Sequence, residues 1–377
     1  MSTLPCSYIS DQEALKAAVG RMVSEPVIAV DTEGDSLHHY QEKVCLIQMS
    51  TPIESFIIDP LAFGNLSPLA PLLADNRIRK VFHGADYDIR SLFRDFGLTV
   101  NNLFDTMVAC QFLGEKEFGL AAVLKKRFGV ELDKKYQKAD WSKRPLDEGM
   151  IAYAVTDTTL LISLSSQLEK ELLAAGRMEW FREECELLSA VRPNERRDEP
   201  FFLRFKGAAK LDRRGLAVLE GLLLFRDERA RQRDLPPFKI LPTDPLRELA
   251  EQRPLDAAGL KKIATLPPRL AERYGEELLT IVQGAMSLPE GELPRYPRAE
   301  RQEKDLAREA RLKKLKEFRQ KRAEELRMEP GLVINNALLE GVAAAQPASR
   351  DELQRLPGVK RWQLELLGEE LVRLSTR

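Results

Sequence analysis

PVIAVDTEG, residues 26–34, is a short β-branched run that ends in acid and glycine, the mark of a strand. Asp31 and Glu33 sit two apart in it, so on a strand both carboxylates point to one face. The residues before them, Val27, Ile28, Ala29 and Val30, belong in the interior of a sheet. Acids at the end of a buried strand need a partner, because an unpaired buried charge is costly. A divalent cation supplies one; a strand end open to solvent needs none. On these residues alone the two readings stand level.

Working outward, VCLIQMS (44–50) and ESFIID (54–59), split by the Thr51-Pro52 turn, read as the rest of a meander. Ser10 with Glu13 forms a capping-box pattern before a helix running to Met22. A helix near 66–74, a strand RKVFHG (79–84), a helix from Ala85 and further helices to about Leu188 follow. Strands first, then mostly helices, give a layered α/β domain. In HGADYDIRSLF (83–93), a strand end turns into a helix, and Asp86 or Asp88 suffices to cap it. Tyr153 and Asp157 lie four apart in a helical segment, hence on one face. A surface Asp beside a packed Tyr is the plainer reading of that pair; a Tyr hydroxyl oriented beside a metal-bound water is the sharper one.

The length, 377 residues, exceeds one ordinary core and suggests two or three domains. No apolar run approaches a membrane span, and the N-terminus lacks the pattern of an export signal, so a cytoplasmic protein is expected. The four cysteines are scattered, as buried small hydrophobes in a reducing compartment would be. With only three histidines, a His-rich zinc site is excluded in favour of carboxylates around a hard cation. The net charge of −1 hides an uneven distribution: residues 196–239 carry 12 Lys/Arg against 7 Asp/Glu, and 295–327 carry 13 against 7.

After a charged stretch at 192–207 the strand signals stop and an internal repeat begins, at an offset of 93 residues. Phe225-Arg226, Arg229-Ala230 and Pro237 recur as Phe318-Arg319, Arg322-Ala323 and Pro330. Gly275-Glu276-Glu277-Leu278 recurs as Gly368-Glu369-Glu370-Leu371. Two copies of one small helical domain are expected, joined by a proline-bearing stretch at 288–300. Leu312, Leu315 and Phe318 form a core stripe on the second copy, whose charges are a solvated face individually and a nucleic-acid-facing patch collectively.

The ordered set D-x-E, H-G-A-x-x-D-I, F-D-T and Y-x-x-x-D resembles the DEDDy 3′→5′ exonucleases, especially the ribonuclease D family and its exosome-associated relatives. Asp31 and Glu33 match the first motif, Asp88 the second, Tyr153 and Asp157 the third. ADWSKRPL (139–146) is similar to the family's tryptophan-arginine segment, and the repeat resembles two helicase-and-RNase-D C-terminal (HRDC) domains. The resemblance implies a ribonuclease-H-like α/β exonuclease domain over 1–191, a linker over 192–210, an all-α HRDC domain over 211–288, a linker over 289–304 and a second HRDC domain over 305–377. It further implies two divalent ions, Mg²⁺ or Mn²⁺, held by Asp31, Glu33, Asp88 and Asp157, with Asp31 bridging. Tyr153, with an ordinary pKa of about 10, orients the nucleophilic water. Trp141, Arg144 and Tyr40 are candidate substrate contacts, by base stacking or phosphate pairing, or else packing and salt-bridge residues.

His83 and Asp105 are expected to support the site rather than to act in it. The implied substrates are RNA 3′ ends, tRNA precursors among them, trimmed by a monomeric enzyme to nucleoside 5′-monophosphates. Residues 211–377 are expected to be dispensable for chemistry and to dock structured RNA. A DNA exonuclease of proofreading or repair type would share the catalytic residues; a non-catalytic RNA-binding protein would have no reason to keep four acids together.

Overall fold

The computed structural model describes residues 4–193, 199–297 and 305–376; parts of both expected linkers, 194–198 and 298–304, lie outside the described residues. Six strands form one mixed sheet: β1 (Cys6–Ile9), β2 (Val27–Gly34), β3 (Val44–Ser50), β4 (Ser55–Ile58), β5 (Arg79–Phe82) and β6 (Leu103–Asp105), in the order β1-β4-β3-β2-β5-β6. The meander β2-β3-β4 is antiparallel, while β1, β5 and β6 join it in parallel. All seven residues of β3 are buried, because helices cover both of its faces. The acid-bearing strand β2 is therefore internal, flanked by β3 and β5.

Three local expectations change. Strands β1 and β6 were not expected; at four and three residues they are too short to show an alternation. Strand β5 stops at Phe82 rather than residue 84, because Gly84 at φ +80° turns the chain into the helix Asp86–Phe96. The helix Gln12–Met22 is capped by Asp11, not Ser10: its Oδ1 accepts from the Ala14 N–H at 2.8 Å. Of the four cysteines, Cys45, Cys110 and Cys185 are buried as expected, while Cys6 is exposed. Among the described residues, no helix is long and apolar enough to cross a membrane.

The repeat is carried into the backbone at its own offset. Helices Arg213–Arg233 and Leu306–Leu326 are both 21 residues long and start 93 apart. Each ends on a left-handed residue, Asp234 at φ 47° and Arg327 at φ 53°. The short helices Pro237–Ile240 and Pro330–Val333, then Thr243–Gln252 and Asn336–Ala345, keep the same displacement.

The two copies nevertheless belong to different compact units. One unit holds the sheet, its helices and the second copy; the other holds the first copy together with Asp35–Lys43. In the first unit, Trp362 of the second copy stacks on Trp180 at 5.3 Å between ring centroids and meets Phe112 edge-on at 5.7 Å. Glu183 accepts from the N–H groups of Arg361 and Trp362 at 2.7 and 3.0 Å, satisfying orphan donors at the start of the helix Arg361–Ser375. Glu184 pairs with Lys360 at 2.6 Å and takes the Trp362 indole N–H at 3.0 Å. The second copy thereby completes the apolar core of the sheet domain.

Candidate active site

Two elements bring the acids together. Strand β2 points Asp31 and Glu33 to the face covered by the helix Glu148–Thr159, which carries Tyr153 and Asp157. Asp147 caps that helix by accepting from the Met150 N–H at 2.8 Å, and its far end is tied to the sheet by Thr158 Oγ1 and Ser50 Oγ at 2.7 Å. Met150 and Ala154 fill the space between them. The result is that Asp31, Glu33 and Asp157 each offer a carboxylate oxygen, all within 4.8 Å of one another. The first two are half-buried, and Asp157 is 7% exposed.

Asp88 stands beside this trio rather than in it. It lies in the first turn of the helix Asp86–Phe96, 6% exposed, and takes the Thr32 hydroxyl at 2.5 Å. Thr32, between the two acids of β2, is thus what links Asp88 to them. Asp86 points away and pairs with Arg90 at 2.8 Å on the surface. The turn that aims this helix is held by Asp105, which is fully buried and accepts from the N–H groups of Gly84, Ala85 and Met107 at 3.0, 2.7 and 2.8 Å. Asp105 therefore supports the site through the backbone. His83 Nδ1 and Thr106 Oγ1 are hydrogen-bonded at 2.9 Å, and burial pushes the His83 pKa down, which favours the neutral ring.

Among the described residues, none of the four carboxylates has a Lys, Arg or His partner. Burial pushes their pKa values up, and at Asp31 and Glu33 the neighbouring carboxylates push them further. Glu33 is raised to about 8 by burial, then by Asp157 and Asp88. Asp157 is raised to about 7 and Asp88 to about 6, burial leading in both. Asp31, at the centre, is raised well above the usual range by burial and then by Asp88, Asp157 and Glu33. Four like-charged groups crowded together with no counter-charge are unfavourable as they stand. An all-oxygen donor set of this density suits a hard divalent cation, which would reverse that penalty.

Tyr153 borders the cluster. Its pKa is raised by burial and then by Asp157, Glu33 and Asp31, so it keeps its proton at neutral pH. Its ring is flanked by Tyr136 at 5.9 Å and Trp141 at 6.0 Å. Trp141 is 1% exposed, which leaves no face for a base to stack on. Arg144 is engaged internally: Nε and Nη2 fork onto Asp59 at 2.6 and 2.7 Å, and the remaining N–H groups reach the carbonyls of Trp141, Lys143 and Cys45 at 2.7, 2.8 and 2.8 Å. Burial raises the Asp59 pKa, but the bonds from Arg144 and from Tyr8 outweigh it and hold the carboxyl below its usual range. Arg144 thus fastens the segment that presses Trp141 against Tyr153. Tyr40 is gathered into the other unit, where its ring packs in the first repeat's core and its hydroxyl meets Asp227 at 2.8 Å.

Sequence reasoning missed Thr32 and Asp59. Thr32 was visible only as the residue between the two acids, and Asp59 only as the end of a strand.

The sequence pattern of a 3′-5′ exonuclease family matches residues 6–173, and that of the HRDC domain matches 215–282 and again 308–374. Ribonuclease D of Acidiphilium cryptum is 30% identical over 97% of this chain and 92% of its own length. The crystal structure of Escherichia coli RNase D, described as an exoribonuclease involved in structured RNA processing, superposes with a TM-score of 0.74 at 26% identity, covering 98% of both chains. The catalytic core of RRP6 from Trypanosoma brucei is 33% identical with a TM-score of 0.66, over 76% of this chain and 81% of that one.

Proposed function

The chain belongs to the ribonuclease D family, and from that premise we propose that it shortens structured RNAs, tRNA precursors among them, using two divalent cations held by Asp31, Glu33, Asp88 and Asp157. It is a hydrolytic 3′→5′ exoribonuclease. The observation that carries the finer reading is the carboxylate trio, with oxygens within 4.8 Å of one another and, among the described residues, no basic side chain to neutralise them. Divalent ions, when bound, supply electrophilic stabilisation to the attacking and leaving oxygens of an in-line displacement. Asp31, Glu33 and Asp157 would hold one ion, and Asp88, steadied by Thr32, would help to hold the second.

Tyr153 keeps its proton and orients the attacking water by a hydrogen bond instead of deprotonating it. Water adds to the terminal phosphorus, the bond to O3′ breaks, O3′ takes the proton, and a nucleoside 5′-monophosphate leaves. The nuclease domain spans 1–191 in this reading, with HRDC domains over 211–288 and 305–377. The first repeat, which lies outside the unit built on the sheet, is the better candidate for docking structured RNA, since its basic stretch attracts phosphates in a salt-dependent way. The test is an assay on a 3′-extended tRNA and on single-stranded DNA, each with Mg²⁺, Mn²⁺ or EDTA. Mononucleotides from the tRNA, absent in EDTA, are expected; preference for the DNA overturns the RNA assignment.

A further inference from the structure

Strand β3 contains a residue that its packing does not explain. Gln48 is fully buried, and neither its Oε1 nor its Nε2 meets a hydrogen-bond partner among the described residues. An unpaired buried amide is destabilising, because it gives up its bonds to water and gains none in return. The rest of β3 is Val44, Cys45, Leu46, Ile47 and Met49 with one other polar residue, Ser50, whose hydroxyl is bonded to Ser55 and Thr158.

The register says what lies within reach. Gln48 pairs directly with Asp31 across the β2-β3 ladder, and cross-strand partners share a face with Cβ atoms roughly 4.5–5.5 Å apart. That face is the one covered by the helix carrying Asp157. Ser50, two residues along, bonds to Thr158 of that helix, and Ile57, opposite Gln48 on β4, packs with Met150, Ala154 and Trp141. The amide therefore lies in the dry layer behind the carboxylates. Asp31 is its charged neighbour on that face, while Leu46 and Ile57 offer it nothing polar.

We propose that Gln48 is a positioning residue for the cation site: its side-chain amide, unbonded in the metal-free structure, takes the cross-strand Asp31 carboxylate as its acceptor once cations fill the site and steadies it toward Glu33 and Asp157. A carboxylate shared between two cations has to be held in one rotamer, and a neutral amide does this without adding charge. Residues that orient metal ligands in this way contribute roughly 10–100-fold in affinity or activity. The inference rests on the cation-binding reading above. A second buried donor in the same layer, Trp141 Nε1, also lacks a partner, and a Gln48–Trp141 pairing is the competing account.

Gln48→Met and Gln48→Leu remove the amide and keep the volume. Mn²⁺ binding by calorimetry, kcat and KM on a short oligoribonucleotide, and metal-free Tm are measured on the full chain. Expected are Mn²⁺ affinity and kcat reduced about 10–100-fold, KM unchanged, and a metal-free Tm equal to or above the unsubstituted protein's. Unchanged Mn²⁺ affinity in both variants overturns the proposal, as does a lowered Tm with affinity intact. An equal loss of affinity in Trp141→Phe assigns the amide to the indole and overturns it too. If the unsubstituted protein binds no Mn²⁺, the cation-binding reading itself fails, a result distinct from the others.

Discussion

Replacing Asp157 by Asn should disable the enzyme and stabilise it at once. In the metal-free protein Asp157 is buried among like charges, and its pKa is raised from 3.8 to about 7. A folded-state carboxyl with a raised pKa makes the native state the better proton binder. Its contribution is therefore neutral below the ordinary carboxylate range and becomes a cost as pH rises from about 4 to about 7. Each unit is worth about 1.4 kcal/mol, but the acids titrate together and part of the strain relaxes, so roughly 2 kcal/mol at pH 8 is the size to expect. For a unit of this size that is roughly 4–8 °C in Tm.

Asn keeps the shape and removes the charge, so metal-free Asp157→Asn should melt several degrees above the unsubstituted protein at pH 8 and level with it near pH 4. Adding Mg²⁺ or Mn²⁺ should raise the Tm of the unsubstituted protein and move the variant much less. Losing one cation ligand removes several kcal/mol of transition-state stabilisation, so turnover should fall by at least about 100-fold. Differential scanning calorimetry at the two pH values, with and without cation, and an exonuclease assay read all of this. A variant that melts lower at pH 8, or retains most of its rate, would refute the account of these carboxylates.

Other outcomes follow from the same geometry. Asp88→Asn should be crippling and Asp86→Asn mild in single-turnover assays, because Asp88 is buried against Thr32 while Asp86 pairs with Arg90 in solvent. Trp362→Ala should cost about 3–5 kcal/mol, seen as a lowered denaturation midpoint of the unit containing the sheet, since the indole packs on Trp180 and Phe112; an unchanged midpoint would free the second repeat from that core. Arg144→Gln and Asp59→Asn should lower kcat by similar factors with KM little changed, and the double variant should be no worse than either alone, since both break one clamp behind Trp141. Additive losses with a raised KM would instead return Arg144 to phosphate binding.

The acids were legible in the sequence because strand and helix periodicities place Asp31 with Glu33 and Tyr153 with Asp157 before any fold is known. Their convergence was not, since it depends on the helix Glu148–Thr159 crossing the sheet, a long-range fact that only the motif order hinted at. The repeat was legible for a different reason: ungapped identities at one offset survive as backbone, down to the left-handed residues Asp234 and Arg327. What the sequence hid was where each copy packs. Trp362, Lys360 and Arg361 read as ordinary helix residues until Trp180, Glu183 and Glu184 are set against them. Arg144 misled in the other direction. A lone arginine beside a tryptophan suggests a phosphate contact, and only the position of Asp59 reveals that its guanidinium is already engaged.

The most direct measurement follows a 5′-labelled single-stranded RNA with a free 3′-hydroxyl through time, with Mg²⁺ and then with EDTA added midway. The account predicts a ladder that shortens one nucleotide at a time from the 3′ end, nucleoside 5′-monophosphates as the small product, and an immediate halt on chelation. Internal fragments appearing first, or a ladder that keeps shortening in EDTA, would contradict it.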